Sequence, residues 1–217
     1  MPAAGIDAQP AVSNKDADFA SFGTIETLAG TAQIEDKGVN GWDVGYEGGA
    51  AAAAELSRPH FTHADSAGNL FDADKDAHGI RKITTAGVIT TFAGTNVACV
   101  GVSRAGVAHQ TPLSAPNGLW VSPSDSVYVL DLGNDKVRRV RDGNMETLFA
   151  IGGAGTGRGL WVAEDESLAY VSAGSLLKKW TPGSGVEVLA QGFGSLGNLF
   201  VEADGNILAA DRSGHSV

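Results

Sequence analysis

Residues 58–95 read RPHFTHADSAGNLFDADKDAHGIRKITTAGVITTFAGT, and this stretch decides the fold. It divides into four short runs separated by three turn signals. Residues 60–64 alternate weakly, DSAGN at 65–69 is a turn, and residues 70–73 form a second run. Residues 74–79 turn into the run 80–83, and TTAG at 84–87 turns into 88–93, so the unit reads as an up-and-down antiparallel meander. The pattern returns at an offset of 57 residues, with Pro59 on Pro116, Leu70 on Val127, Asp74 on Asp131, Ile80 on Val137 and Arg81 on Arg138. Agreement of residue type and order at one offset marks an internal repeat.

Outward from this unit, a second covers residues 115–149, with strands expected near 118–122, 127–130, 136–140 and 145–149. The third covers 158–190, where Leu160-Trp161-Val162 repeats Leu119-Trp120-Val121, and a fourth starts at Gly197 and reaches Val217. Asp74, Asp131, Ser172 and Asp211 end the second strands at intervals of 57, 41 and 39 residues. Such periods fit four-stranded blades arranged radially. GTIETLAGT at 23–31 lines up with GVITTFAGT at 87–95, so the chain opens with an orphan fourth strand. In a closed ring that strand completes the last blade as its outermost member and protects a sheet edge.

The pattern RPH…DSAGNLFDAD…HGIRKI…GVITTFAGT resembles the NHL-repeat family of β-propellers, and the units that share it cover nearly all of the chain after residue 22. The resemblance implies an all-β fold, a β-propeller of NHL-type four-stranded blades at about 58–95, 115–149, 158–190 and 197–217, with strand 23–31 added and residues 1–22 a flexible leader. Such propellers commonly close with about six blades, within the usual range of the architecture. Three arrangements stay open: a four-bladed ring, a segment of a larger ring, which the reading favours, or two chains that associate through open blade edges.

Composition bounds the function. A length of 217 residues with 43% hydrophobic and 18% charged content describes one globular domain with a core of its own. Thirty glycines favour a turn-rich all-β design. A net charge of −10 excludes the basic stripe that nucleic acid needs. No run of 18 apolar residues suggests a membrane span, and the first twenty residues carry neither a basic n-region nor an apolar h-region. Cys99 is the lone cysteine and is expected to be a buried spectator thiol. An extracytoplasmic or secreted setting is what the resemblance implies.

Catalytic signatures are missing: the chain has no GxSxG, HExxH, CxxC or Walker pattern, and GGAGTG at 152–157 reads as an interblade loop. His60, Asn117, Arg158 and Gly197 stand at the head of successive first strands and are expected to converge at one end of the channel. In NHL-like lyases histidines at this position bind a metal, and Pro59-His60 resembles that motif in one blade. Asn, Arg and Gly elsewhere make a poor divalent site, so neither metal nor cofactor is expected. His63 shares its place with Trp120, Trp161 and Phe200 and should pack between blades, whereas His78, His109 and His215 should be solvated. The recurring aspartates should accept hydrogen bonds from the turns that follow them. Arg81-Lys82, Arg138-Arg139 and Lys178-Lys179 should be solvated charges paired with nearby acids. The long loops 32–57 and 96–114 offer aromatic contacts, Trp42 and Tyr46 foremost.

These features read as a non-catalytic scaffold that binds a protein partner or a small ligand through Trp42, Tyr46, His60, Asn117 and Arg158. The alternatives are a metal-assisted lyase or hydrolase at the channel mouth, using His60, Asn117 and Arg158, and a structural repeat segment of a larger assembly.

Overall fold

The computed structural model describes residues 26–34, 36–101 and 104–217. The expected leader, residues 1–22, lies outside the described residues. The repeat folds into two matching sheets. The first holds β1 (Gly49–Ala50), β2 (Pro59–Ala64), β3 (Leu70–Asp74), β4 (Gly79–Ile83) and β5 (Val88–Ala93), in the order β1-β5-β4-β3-β2. The second holds β6 (Gly106–Val107), β7 (Pro116–Val121), β8 (Val127–Asp131), β9 (Lys136–Arg141) and β10 (Asn144–Ala150), in the order β6-β10-β9-β8-β7. A third has β11 (Leu160–Val162), β12 (Ala169–Ala173), β13 (Leu176–Thr181) and β14 (Gly185–Gln191) in sequence order, and β15 (Leu196–Val201) pairs with β16 (Ile207–Asp211). All pairings are antiparallel.

Turn chemistry sets these boundaries. Between β2 and β3 the Asp65 carboxylate accepts from the amides of Ala67 and Asn69, and Gly68 takes φ 82°. That is the Asx-turn logic by which Asp and Gly close a tight corner. The first strands β2, β7, β11 and β15 pack side by side in chain order, so the sheets radiate as blades.

Alternation along the strands fills the space between blades. Phe71, Ala73, Ile80 and Ala93 of the first blade meet Leu119, Val121, Val127 and Val129 of the second. Tyr128, Leu130 and Val137 meet Leu160, Val162, Ala169 and Val171 in the same way. Each large side chain so buried stabilises the fold by about 1.5–3 kcal/mol. His63 packs edge-on against Trp120 with centroids 4.9 Å apart, the interblade place expected for it. Trp120 in turn lies 6.3 Å from Trp161, and Phe200, the next member of the series, is 57% exposed.

The long loops belong to the repeat. Ala51 corresponds to Ala108, Leu56 to Leu113 and Ser57 to Ser114, all at the 57-residue offset. Each loop adds a two-residue outer strand, β1 or β6, followed by a 3-10 turn, Ala51–Ala53 or Ala108–Gln110. The helical turn expected at 50–54 is thus a 3-10 turn that buries Ala51. The orphan strand is placed differently from expectation. Residues 23–25 lie outside the described residues, and residues 26–31 form no strand. Gly30 instead donates its amide to Ala51 O at 3.1 Å, and Ala29 packs with Leu56, Leu70 and Ile83. The described part of the segment, residues 26–31, therefore covers the first blade, where the Gly30 amide and the Ala29 side chain find their partners.

At one end of every blade a polar side chain closes the second strand. Asp74 accepts from Ser57 N at 2.5 Å and from Arg81 Nε at 3.0 Å. Asp131 accepts from Ser114 N at 2.8 Å, Asn134 Nδ2 at 2.8 Å and Arg138 Nη1 at 3.4 Å. Asp211 holds Gly194 N and Ser195 N at 2.7 and 2.8 Å. The backbone donors come chiefly from the loop leading into the first strand; from the following turn Asp131 takes the Asn134 side chain, and Asp211 the amides of Ser213 and Gly214. Arg81 and Arg138 are fully buried and Lys178 nearly so, which corrects their expected solvation. Period-two geometry puts only their neighbours on the other face, where Arg139 pairs with Glu146 and Glu166, and Lys179 with Glu187 at 3.6 Å.

Two predictions follow from this burial. Removing the Asp74 carboxylate strands Arg81 in the interior, so Asp74→Ala should lower unfolding free energy in urea by about 3–5 kcal/mol. Lys82→Met, on the opposite face of β4, should stay within about 0.5 kcal/mol. Asp72, 3% exposed and, among the described residues, hydrogen-bonded only to Thr62 Oγ1 at 2.7 Å, faces Arg81 across the strands as Val129 faces Arg138 and Val171 faces Lys178. Burial above all pushes its pKa up from 3.8 to about 7. The folded state therefore binds this proton more tightly, and its stabilising contribution, complete below about pH 4, is lost as pH rises through about 7. Melting temperatures measured from about pH 4 to 8 should show Asp72→Asn gaining steadily on the parent as pH rises.

Candidate functional site

The first strands all begin, and the second strands all end, at the same end of the blades. Pro59 and Pro116 open their strands without an amide to donate, and irregular register between Pro59 and Thr62, and between Pro116 and Gly118, turns the intervening residues toward that end. His60 Nδ1 and Asn117 Oδ1 are in close hydrogen-bond contact. Asn117 Nδ2 donates to Gly157 O at 2.6 Å. With the amide nitrogen so committed, Asn117 Oδ1 is the acceptor, and His60 carries its proton on Nδ1. At Gly118 a Cβ would stand 2.0 Å from Arg158 O, so only glycine lets β7 and the head of β11 approach this closely. Gly159 N donates to Gly197 O at 3.1 Å, which carries the contact to the fourth blade. The structure thus brings His60, Asn117 and Arg158 together as their spacing suggested.

Cations gather around them. Arg58 takes φ 69° ahead of β2, and its carbonyl accepts from Lys75 N at 3.4 Å. Arg158 is fixed through its amide, which donates to Ser172 Oγ at 3.0 Å, while its Nε is buried with no hydrogen-bond partner. Arg212 lays its Cγ and Cδ over Gly197, 3.2 and 3.3 Å from where a Cβ would stand, and donates to Ser195 Oγ. Only Arg58 has a carboxylate, that of Asp76 at 3.5 Å. Lys75, Arg158 and Arg212 form no ion pair among the described residues. Like charges brought together repel, and the more so where the surroundings screen them less than water does.

That repulsion registers in the acid–base chemistry. Burial lowers the His60 pKa below 6.5; the Asn117 bond opposes this, and the charges of Lys75, Arg158 and Arg58 add to it. Lys75 is lowered by burial and by Arg58 and Arg158, with Asp76 opposing. Arg158 is lowered by burial, Arg212 and Arg58. Burial and the surrounding cations therefore favour the neutral form of the His60 imidazole.

Other expected residues lie elsewhere. Trp42 and Tyr46 meet edge-on at 5.5 Å and pack with Ile83 and Ile89 of the first blade. The buried Arg81 guanidinium lies 3.5 Å from the Trp42 ring centroid, so these aromatics face the blade and are half-buried. His78 is not solvated: its Nδ1 accepts from Ala115 N at 3.0 Å and ties the first blade to the second. Cys99 is exposed, not buried. Sequence reasoning missed Arg58, Lys75 and Arg212; their signal was adjacency to Pro59, Asp74 and Asp211, the residues that mark the blade ends. A cavity of about 370 Å³ beside Arg58 and Pro59, closed by Thr27, Ala29, Ile34 and Leu56, opens off the axis. Among the described residues no three His, Cys, Asp or Glu side chains are grouped to hold a metal ion, and no helix is long and apolar enough to cross a membrane.

Solved structures with the same arrangement of blades are numerous. A streptogramin B lyase aligns with a TM-score of 0.56 at 14% identity over 73% of this chain. The chain folds as a β-propeller. A structure of a nidogen–laminin complex aligns at 0.57 with 16% identity over 73% of the chain, and a structural genomics protein of unknown function from Bacteroides thetaiotaomicron at 0.60 with 17% over 86%. The propeller spans 50%, 58% and 44% of those chains, about half their length. Identities this low speak for the fold alone, and the neighbours include both an enzyme and a binding protein. No family model and no curated protein matches the sequence.

The site makes a testable statement about His60. Its imidazole should titrate below 6.5 in a histidine-detected NMR experiment. Arg158→Gln should move that pKa up, and Asn117→Ala should move it further down, since the first removes a repelling charge and the second a bond that favours the charged ring.

Proposed function

We propose that the protein is a non-catalytic NHL-type propeller that binds a protein partner or small ligand at the axial end built by His60, Asn117 and Arg158. The observation that carries this reading is the fixed chain of contacts from His60 through Asn117 to Gly157. It joins β2 and β7 to the loop that leads into β11, and spends the Asn117 amide, and the His60 proton on Nδ1, on holding the frame. Rigid discs of this kind present residues from several blades at one end, and loop-borne contacts on a rigid scaffold suit recognition. Trp42 and Tyr46 drop to a supporting part in this reading, because their rings are turned onto Arg81 and the first blade.

The second reading is an enzyme working at the same end, and the shared fold with a streptogramin B lyase is what keeps it in view. His60, at the head of the first strands, is the imidazole this reading would use. A photo-crosslinking residue at position 213, exposed at the axial end, should capture the partner or ligand. The same residue at 204, in the β15–β16 turn at the other end, should not. Equal capture at both positions would overturn the assignment, and turnover of the captured ligand that disappears in His60→Gln would establish the enzyme reading instead.

A further inference from the structure

We infer that the axial end is a binding site for a compact anion carrying two or more negative charges, of carboxylate or phosphoryl type. This rests on the reading of that end as the binding face. Four cationic side chains, Arg58, Lys75, Arg158 and Arg212, come to one place from three different blades in a chain whose net charge is −10. Twenty-five acidic residues were available to neutralise them. Among the described residues Asp76 is the one carboxylate paired with them, and it also holds Gly38 N at 2.8 Å. Asp74, Asp131 and Asp211, which close second strands at this end, are spent: Asp74 on Ser57 N and Arg81, Asp131 on Ser114 N, Asn134 and Arg138, Asp211 on backbone amides. Among the described residues Arg158 and Arg212 form no ion pair, Lys75 has only the influence of the Asp76 that Arg58 also engages, and the buried Arg158 Nε has a proton and no acceptor.

A buried donor without a partner costs free energy that a bound acceptor recovers, and a dianion relieves the mutual repulsion of the cations at the same time. A single negative charge leaves most of that repulsion in place. His60 adds a proton-linked element, because an anion beside the ring favours the imidazolium and so raises its pKa. A concave end lined by one sign of charge also concentrates anions from solution. The span of the site, a few residues at the heads of the first, third and fourth blades, suits a small molecule rather than a polymer, and the remaining surface of the acidic chain repels a polyanion.

The test is calorimetric titration of the full chain with citrate and, separately, with pyrophosphate, at constant ionic strength balanced by sodium chloride. At least one should bind saturably with one site per chain, more tightly near pH 6 than near pH 8, and the tighter of the two identifies carboxylate or phosphoryl recognition. Arg158→Gln and Lys75→Met should each weaken binding about tenfold or more, the usual effect of losing one charge-assisted hydrogen bond. Lys82→Met, away from this end, should leave it unchanged, and the His60 ring signals should show its pKa rising on saturation. Heat that follows ionic strength alone, or equal affinity in both variants and the parent, overturns the anion assignment. A crosslinked axial ligand at position 213 together with no saturable anion binding would sink this inference while leaving the binding face itself standing.

Discussion

Everything at the axial end hangs on a buried carboxylate that closes the second strand of a blade. Asp74 joins the loop before the first strand, through Ser57 N, to the third strand, through Arg81. Asp131 repeats the arrangement with Ser114 and Arg138. An ion pair in the interior is no more stabilising than well-packed apolar side chains of the same volume. Its contribution is positional: an apolar contact tolerates sliding, whereas a carboxylate facing one amide and one guanidinium does not. Ser57 stands three residues before His60, and Ser114 three before Asn117, so the pins that hold the blades together also fix the heads of the strands that form the site.

The third blade departs from this rule, and the departure shapes the site. Ser172 replaces the aspartate, and its shorter side chain accepts from Arg158 N and Gly159 N while donating to Gly197 O. Lys178 replaces the arginine and donates to the carbonyls of Ile151, Gly152 and Gly153 instead of a carboxylate. The loop 152–157, which the glycine run marked as interblade, is therefore strapped from both sides, since Asp135 also accepts from Gly153 N and Ala154 N. One carboxylate fewer at this corner leaves Arg158 among Arg58, Lys75 and Arg212 with nothing of opposite sign beside it.

The parts of the fold legible in the sequence were those with local causes. Asx turns and glycines separate short alternating runs, and one 57-residue offset superposes Asp74 on Asp131 and Arg81 on Arg138. The outer strands β1 and β6 escaped notice although Ala51 and Ala108 obey the same offset, because two residues carry no periodicity. The burial of Arg81 escaped for another reason: alternation says that Arg81 and Lys82 face opposite sides, but not which side is covered. Trp42 looked like a free aromatic in a glycine-rich loop, and its guanidinium partner on β4 lies 39 positions away.

By itself, then, the sequence determined a propeller of short antiparallel blades and the set of residues that lead their first strands, since both follow from short-range periodicity and the repeat of one unit. Tertiary structure decided which of those residues meet and what they meet: His60 against Asn117, Arg158 against Gly118, the described N-terminal segment on the first blade, and Lys75 and Arg212 beside Arg58 and Arg158. The physical reason is range. Turn preference and alternation act over a few residues, whereas the sign of the charge at the axial end is a sum over side chains from separate blades, and that sum exists only once the blades are packed.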